Sequence, residues 1–205
     1  MGQTVTGIAF SETMSGGVRL GESDFRSGEH KARQAGDILA MHARVDIPDL
    51  ERFIHDPEHA GALAGSIDYP PFGNAIPSHN GRFNLFSPTG RPDSKLMIYE
   101  MGFVLHGEPC YLAGRKVVLD DPGLDMWSDT TTLYTRLHRG EDDSGEIIGA
   151  GILTLGLSEL MSLLASMEVT GGDGVKDKAL TLARFGHFFL GQLWDSYASV
   201  PESQR

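Results

Sequence analysis

A chain of 205 residues has the size of one ordinary domain and is long enough to bury a core without covalent staples. Its 28 acidic residues against 17 Lys and Arg leave a net charge of −11, a field that repels phosphate backbones, so nucleic acid is not expected as a partner. The single cysteine, Cys110, excludes an internal disulfide, a cysteine-rich zinc site and an iron–sulfur cluster.

Taken in chain order, the first clear element is Ile38–Ile47. Leu39, Met41, Ala43, Val45 and Ile47 alternate with His42, Arg44 and Asp46, the period of a half-buried strand. Pro48 and Asp49 then suit the start of a short helix running to Ile54. Leu96–His106 predicts a strand with Met97, Tyr99, Met101, Phe103 and Leu105 on one face. Ile98, Glu100, Gly102 and Val104 lie on the other. A turn over His106–Pro109 leads back through Tyr111–Leu119, a hairpin. Thr130–Leu137 and the glycine-interrupted Glu146–Leu157 predict two more strands. Ser158 is placed as the cap of a helix carrying Leu160, Leu163, Leu164 and Met167. After a Gly171–Gly174 loop, Lys178–Tyr197 predicts a final helix with Leu182, Phe185, Phe189, Leu193 and Trp194 as its apolar stripe.

Strands parted by Gly- and Pro-rich turns, with few helices, predict one mainly β domain over residues 1–205. An antiparallel β-barrel and a curved β-sandwich both fit, with short helices and a C-terminal helix covering an edge or open end. The 26 glycines, roughly twice the usual share, fall at turns and within strands, where a bent sheet needs kinks. Ser11-Glu12-Thr13 and Arg19-Leu20 recur at the same spacing as Ser128-Asp129-Thr130 and Arg136-Leu137. That pairs residues 8–59 with 125–170 as two copies of one strand–helix unit; shared apolar patterning is the alternative reading.

Several phrases form an ordered set: Phe10-Ser11-Glu12-Thr13-Met14-Ser15-Gly16, Pro70-Pro71-Phe72-Gly73, Gly81-Arg82-Phe83-Asn84-Leu85-Phe86, Tyr111-Leu112-Ala113-Gly114-Arg115-Lys116 and Leu124–Tyr134. The set resembles a β-rich domain found fused to GMC-type, cholesterol-oxidase-like oxidoreductases and to α/β-hydrolase modules. The resemblance implies proximity to sterol or terpenoid chemistry and a GMC-type oxidoreductase as partner, but supplies no catalytic residues. The chain has no G-x-G-x-x-G opening a βαβ unit, so FAD or NAD is not expected, and no cofactor is assigned.

The densest chemistry lies over Trp127–His138. In a strand, Tyr134, Arg136 and His138 share a face, able to hold an oxyanion and move a proton; a solvated outer barrel face with Trp127 as a core anchor is the competing reading. Arg115 alternates with Tyr111, Ala113 and Val117 on a largely apolar face and needs an acidic partner, Glu100 or Asp129. Glu100 itself is either that partner or a buried base. His55 and His59 have metal-binding spacing, but Pro57 between them argues against a helix, so no metal is assigned. Three functions stand. The first is a barrel cavity binding, or also transforming, a hydrophobic sterol, terpenoid or polyketide-like molecule. Tyr99, Met97, Met101, Phe103, Arg115, Trp127, Asp129 and Arg136 would contact it. The second is a cofactor-independent isomerase or cyclase with Tyr134, His138 and Glu100 as catalytic groups. The third is a module docking a flavoprotein. Without a stretch of the ~20 apolar residues a membrane span needs, or a secretory signal, a cytoplasmic setting is expected.

Overall fold

The computed structural model describes residues 5–91, 94–119, 131–172 and 174–198. Nine strands are β1 (Gly7–Leu20), β2 (Ile38–Ile47), β3 (Ala60–Tyr69), β4 (Gly73–Pro88), β5 (Ser94–Leu105), β6 (Glu108–Leu119), β7 (Thr132–Arg139), β8 (Ile147–Thr154) and β9 (Glu168–Thr170). The helices are α1 (Phe25–Ala35), α2 (Leu50–His55), α3 (Leu157–Ser166) and α4 (Val175–Ala198). Each strand from β1 to β8 pairs antiparallel with the next, and β8 returns to β1, closing an eight-stranded barrel. The barrel, rather than the sandwich, is therefore the architecture. β3 to β6 are four consecutive staves of this same wall.

The proposed repeat meets one asymmetry. Its first copy contains α1 between β1 and β2, whereas β7 and β8 are joined by a short turn; the start of the second copy lies outside the described residues. The helix after β8 also begins differently from expectation. Gly156 is its N-cap, without a side-chain bond, and the Ser158 hydroxyl is turned to Glu159 instead.

Alternation places Ile8, Phe10, Met14 and Val18 of β1 and Leu39, Met41, Val45 and Ile47 of β2 in the core, each at most 5% exposed. Burying one such side chain contributes about 1.5–3 kcal/mol. The axis is crossed by rings in contact: Phe10 lies 6.1 Å from Phe83, and Phe83 lies 5.1 Å from Tyr99. One end is plugged by Phe53 of α2 and by Phe185 and Phe188 of α4. Near the other, the Tyr69 hydroxyl donates to the Val18 carbonyl at 2.8 Å. Among the described residues, no helix is long and apolar enough to cross a membrane.

The seam between β1 and β8 is unusual. β8 pairs with Ser15 and with Val18–Leu20, and β9 pairs with Gly7–Ala9. Between them, the Ser166 hydroxyl of α3 substitutes for a strand: it accepts from the Ser11 amide at 2.8 Å and donates to the Ser11 carbonyl at 3.0 Å. α3 rests on this seam through Leu160, Leu163 and Met167 but has no buried residue of its own.

His55 and His59 part company. His55 is exposed on α2, whereas His59 is wedged between Phe53 and Phe188, with ring centroids at 5.7 and 4.9 Å. Burial pushes the His59 imidazole below its usual value, and its Nδ1 has no hydrogen-bond partner. The folded state thus refuses a proton that the unfolded chain accepts below about pH 6.5. Stability is expected to fall as pH drops through that value. His59→Gln should flatten this part of the curve, measured by urea denaturation between about pH 5 and 7.5.

Candidate functional site

The registers of β5, β6 and β7 set the outer wall as a grid. One row reads Ile98, Arg115, Tyr134; the next reads Glu100, Ala113, Arg136; the third reads Gly102, Tyr111, His138. Ala113 at the centre is too small to fill the surface between longer neighbours, whereas the space over Gly102 at the corner is taken by His79. The result is a groove of about 250 Å³ lined by Ala113, Arg115, Tyr134, Arg136, His138 and Asp143, with Phe25 of α1 at its rim.

Two of its cations are in opposite states. Arg115 is satisfied: Nη2 donates to Glu100 at 3.0 Å and also bonds Asp143. Glu100 is the buried member, 3% exposed, and additionally accepts from the Tyr111 hydroxyl at 3.1 Å. Burial and then the Glu100 charge push the Tyr111 phenol far up, so it stays a donor. Arg136, by contrast, has no carboxylate partner among the described residues, and its Nε is buried without a hydrogen bond. Its guanidinium lies over the Phe25 ring, 4.6 Å from the centroid, and Phe25 meets Tyr134 edge-on at 5.4 Å. A cation held by an aromatic face but lacking an acceptor is suited to an anionic or carbonyl oxygen.

His138 is fixed in tautomer. Its Nδ1 lies 3.0 Å from the Gly145 carbonyl, which only accepts, so Nδ1 carries the hydrogen. Nε2 is left to exchange a proton with a ligand.

The expected site residues divide between the two faces of the wall. Glu100, Arg115, Tyr134, Arg136 and His138 come together outside, whereas Met97, Tyr99, Met101 and Phe103 point into the barrel. The two sets cannot touch one ligand, because alternate residues of a strand face opposite ways. Nor is Arg115 itself buried: its side chain is 47% exposed, and the apolar Val117 beside it is equally open. Trp127 and Asp129 lie outside the described residues.

Sequence reasoning missed Phe25, which reaches the groove through tertiary folding alone. It also missed Glu12 and Lys116, both buried inside the barrel at 5% and 1% exposure. A signal existed. Glu12 interrupts the row Ile8, Phe10, Met14, and Lys116 interrupts Cys110, Leu112, Val118, two charges on strand faces that are otherwise apolar. Among the described residues, no group of three or more His, Cys, Asp or Glu side chains is placed to hold a metal ion. Comparison with protein-family models, with curated proteins and with solved structures returned no match.

Proposed function

We propose that the protein binds a small amphipathic molecule in the outer groove, with an acidic or carbonyl oxygen on Arg136 and an apolar body against Phe25, Tyr134 and Val117. The Arg136 guanidinium, without a carboxylate partner among the described residues, beside a hollow centred on Ala113 carries this reading. A space of about 250 Å³ is below the ~300–1,000 Å³ of drug-sized sites. The ligand class is therefore of monoterpenoid or aromatic-acid size rather than a whole sterol. The resemblance to GMC-associated domains supports a terpenoid and a partner oxidoreductase that supplies or consumes it. Geranate and geraniol, equal in shape and different in charge, test this by calorimetry. Geranate is expected to bind the parent protein more tightly, and Arg136→Gln to weaken it by about 10–100-fold, the worth of one charge-assisted hydrogen bond. Ala113→Leu, which fills the hollow without altering charge, should block both. Geranate binding unchanged by Arg136→Gln overturns the reading.

A second reading, isomerisation by proton transfer, is favoured by the fixed His138 tautomer. Nε2 would take a proton next to a carbonyl whose oxygen Arg136 stabilises. Levulinate, a carboxylate with an enolisable ketone, should then exchange its α-hydrogens in D₂O faster with protein than without. His138→Gln should abolish the difference while leaving binding intact.

A further inference from the structure

Behind the groove wall, inside the barrel, three polar side chains meet in an apolar setting. The Lys116 ammonium lies over the Tyr99 ring at 5.0 Å, the Tyr99 hydroxyl interacts with the Glu12 carboxylate, and Glu12 and Lys116 attract each other. Met14, Met97, Met101, Leu112 and Leu133 lie on the same inner strand faces, all at most 4% exposed. Flexible Met side chains let such a lining adapt. The cluster is not closed on itself: Glu12 Oε1 is buried without a hydrogen-bond partner. A carboxylate and an amine desolvated together are a costly way to hold a core, and such pairs concentrate where chemistry is done.

Access follows from the seam. Glu12 adjoins Ser11, where β1 pairs with neither β8 nor β9 and the Ser166 hydroxyl of α3 takes the Ser11 backbone bonds instead. A helix with no buried residue opens at far lower cost than the barrel unfolds.

We propose that Lys116 captures small apolar aldehydes as a protonated imine inside the barrel, with Glu12 as counter-ion, admitted through the seam beneath α3. The Nζ lone pair forms the C–N bond to the carbonyl carbon. Two of the three ammonium hydrogens leave with the carbonyl oxygen as water, and one stays on the iminium nitrogen. Glu12 takes the first proton and returns it to the departing hydroxyl, and Tyr99 holds Glu12 in place. The charge is the same before and after, so the Glu12 carboxylate keeps its cation. This is why an imine suits the site and an uncharged or anionic adduct does not. Burial lowers the Lys116 ammonium to about 8. Near pH 7.5 its deprotonated fraction is then of order 0.2, against about 0.001 for an ordinary lysine.

The test treats the full chain at pH ~7.5 with hexanal and cyanoborohydride, which fixes imines as alkylamines, and locates the adducts by peptide mass. Glyceraldehyde is the polar comparator. Lys116 is expected to be hexylated at least about tenfold faster than Lys31, Lys95, Lys176 and Lys178, and to ignore glyceraldehyde. Glu12→Gln should slow Lys116 alone, and Lys116→Arg should remove that adduct while sparing the surface lysines. Cys110, 4% exposed, reports general opening through iodoacetamide uptake in the same sample. The proposal stands if Lys116 reacts while Cys110 stays protected. It is overturned if the surface lysines are hexylated and Lys116 is not, or if Lys116 and Cys110 become reactive together.

Discussion

Replacing both buried charges, as Glu12→Leu with Lys116→Met, is expected to stabilise the folded protein by about 1–4 kcal/mol near pH 7. Glu12 is held above its usual range by burial, and Lys116 is lowered to about 8 by burial, each despite the other's opposite charge. In both, loss of hydration outweighs the attraction. Apolar residues of similar volume remove that penalty, at the loss of the mutual attraction, of the Lys116 contact with the Tyr99 ring and of the Tyr99 hydrogen bond to Glu12. The sign with pH follows. The unfolded chain binds the Lys116 proton more tightly than the folded one between about pH 8 and 10.5, so parental stability rises with pH across that window. The folded chain binds the Glu12 proton more tightly, so parental stability falls as pH rises above about 4.5. The advantage of the double variant is therefore greatest at neutral pH and shrinks toward both extremes. Each single variant should be less stable than the double, since it keeps one buried charge and removes the opposite charge that offsets it. Urea titrations of the four proteins decide the matter. A double variant less stable than the parent by more than about 1 kcal/mol makes the pair a structural one.

Gly151→Ala is expected to destabilise by about 3 kcal/mol, the upper end of ordinary overpacking. A Cβ there would stand 2.0 Å from the Gly17 carbonyl oxygen, and one on Gly16 would stand 2.0 Å from the Ile152 carbonyl oxygen. Both obstacles are backbone, so neither can rotate away; β1 and β8 must separate. α1 is seated the same way, since a Cβ on Gly28 would meet the Ala150 carbonyl oxygen at 2.0 Å. Gly16→Ala combined with Gly151→Ala should cost less than the sum, because both strain one contact. Gly186→Ala supplies the opposite sign. It lies inside α4 with nothing within 4 Å of a new Cβ, and it should stabilise by about 0.5–1 kcal/mol. Thermal unfolding of the four variants, Gly16→Ala alone included, separates the outcomes. A Gly151→Ala protein as stable as the parent would show that the seam yields.

What was legible in the sequence follows from which faces meet water. β2 was bounded to the residue because Ile38–Ile47 has a polar outer face. β5 and β6 were legible as a hairpin from their turn and alternation. β1 was not, because Gly7, Ile8, Ala9 and Phe10 are buried without a break and the charged Glu12 stands in the inner row between Phe10 and Met14. β3 and β4 are broken by register shifts and by Gly65, Pro77 and Gly81, which blur the period. Parity was readable, but inside and outside were not: on β5 Ile98, Glu100 and Gly102 of the outer face are as buried as Tyr99 and Met101 of the inner one. Hence the Tyr134, Arg136 and His138 trio was found as a set, while Tyr99 was wrongly grouped with it. The groove also needed strand register and α1, neither of which local pattern contains.

The closing of the wall has a consequence for the nascent chain. Ser15 bonds to Thr154, a separation of 139 residues, so β1, synthesised before β2 to β8, waits for β8. Until then β1 exposes its amide row along an apolar strand, the kind of edge that recruits other chains. Contacts so distant in sequence also make folding slow. The vulnerable period for this protein is therefore during synthesis, and holding the chain back from aggregation until Ile147–Thr154 emerges should raise its soluble yield more than any stabilisation of the finished barrel.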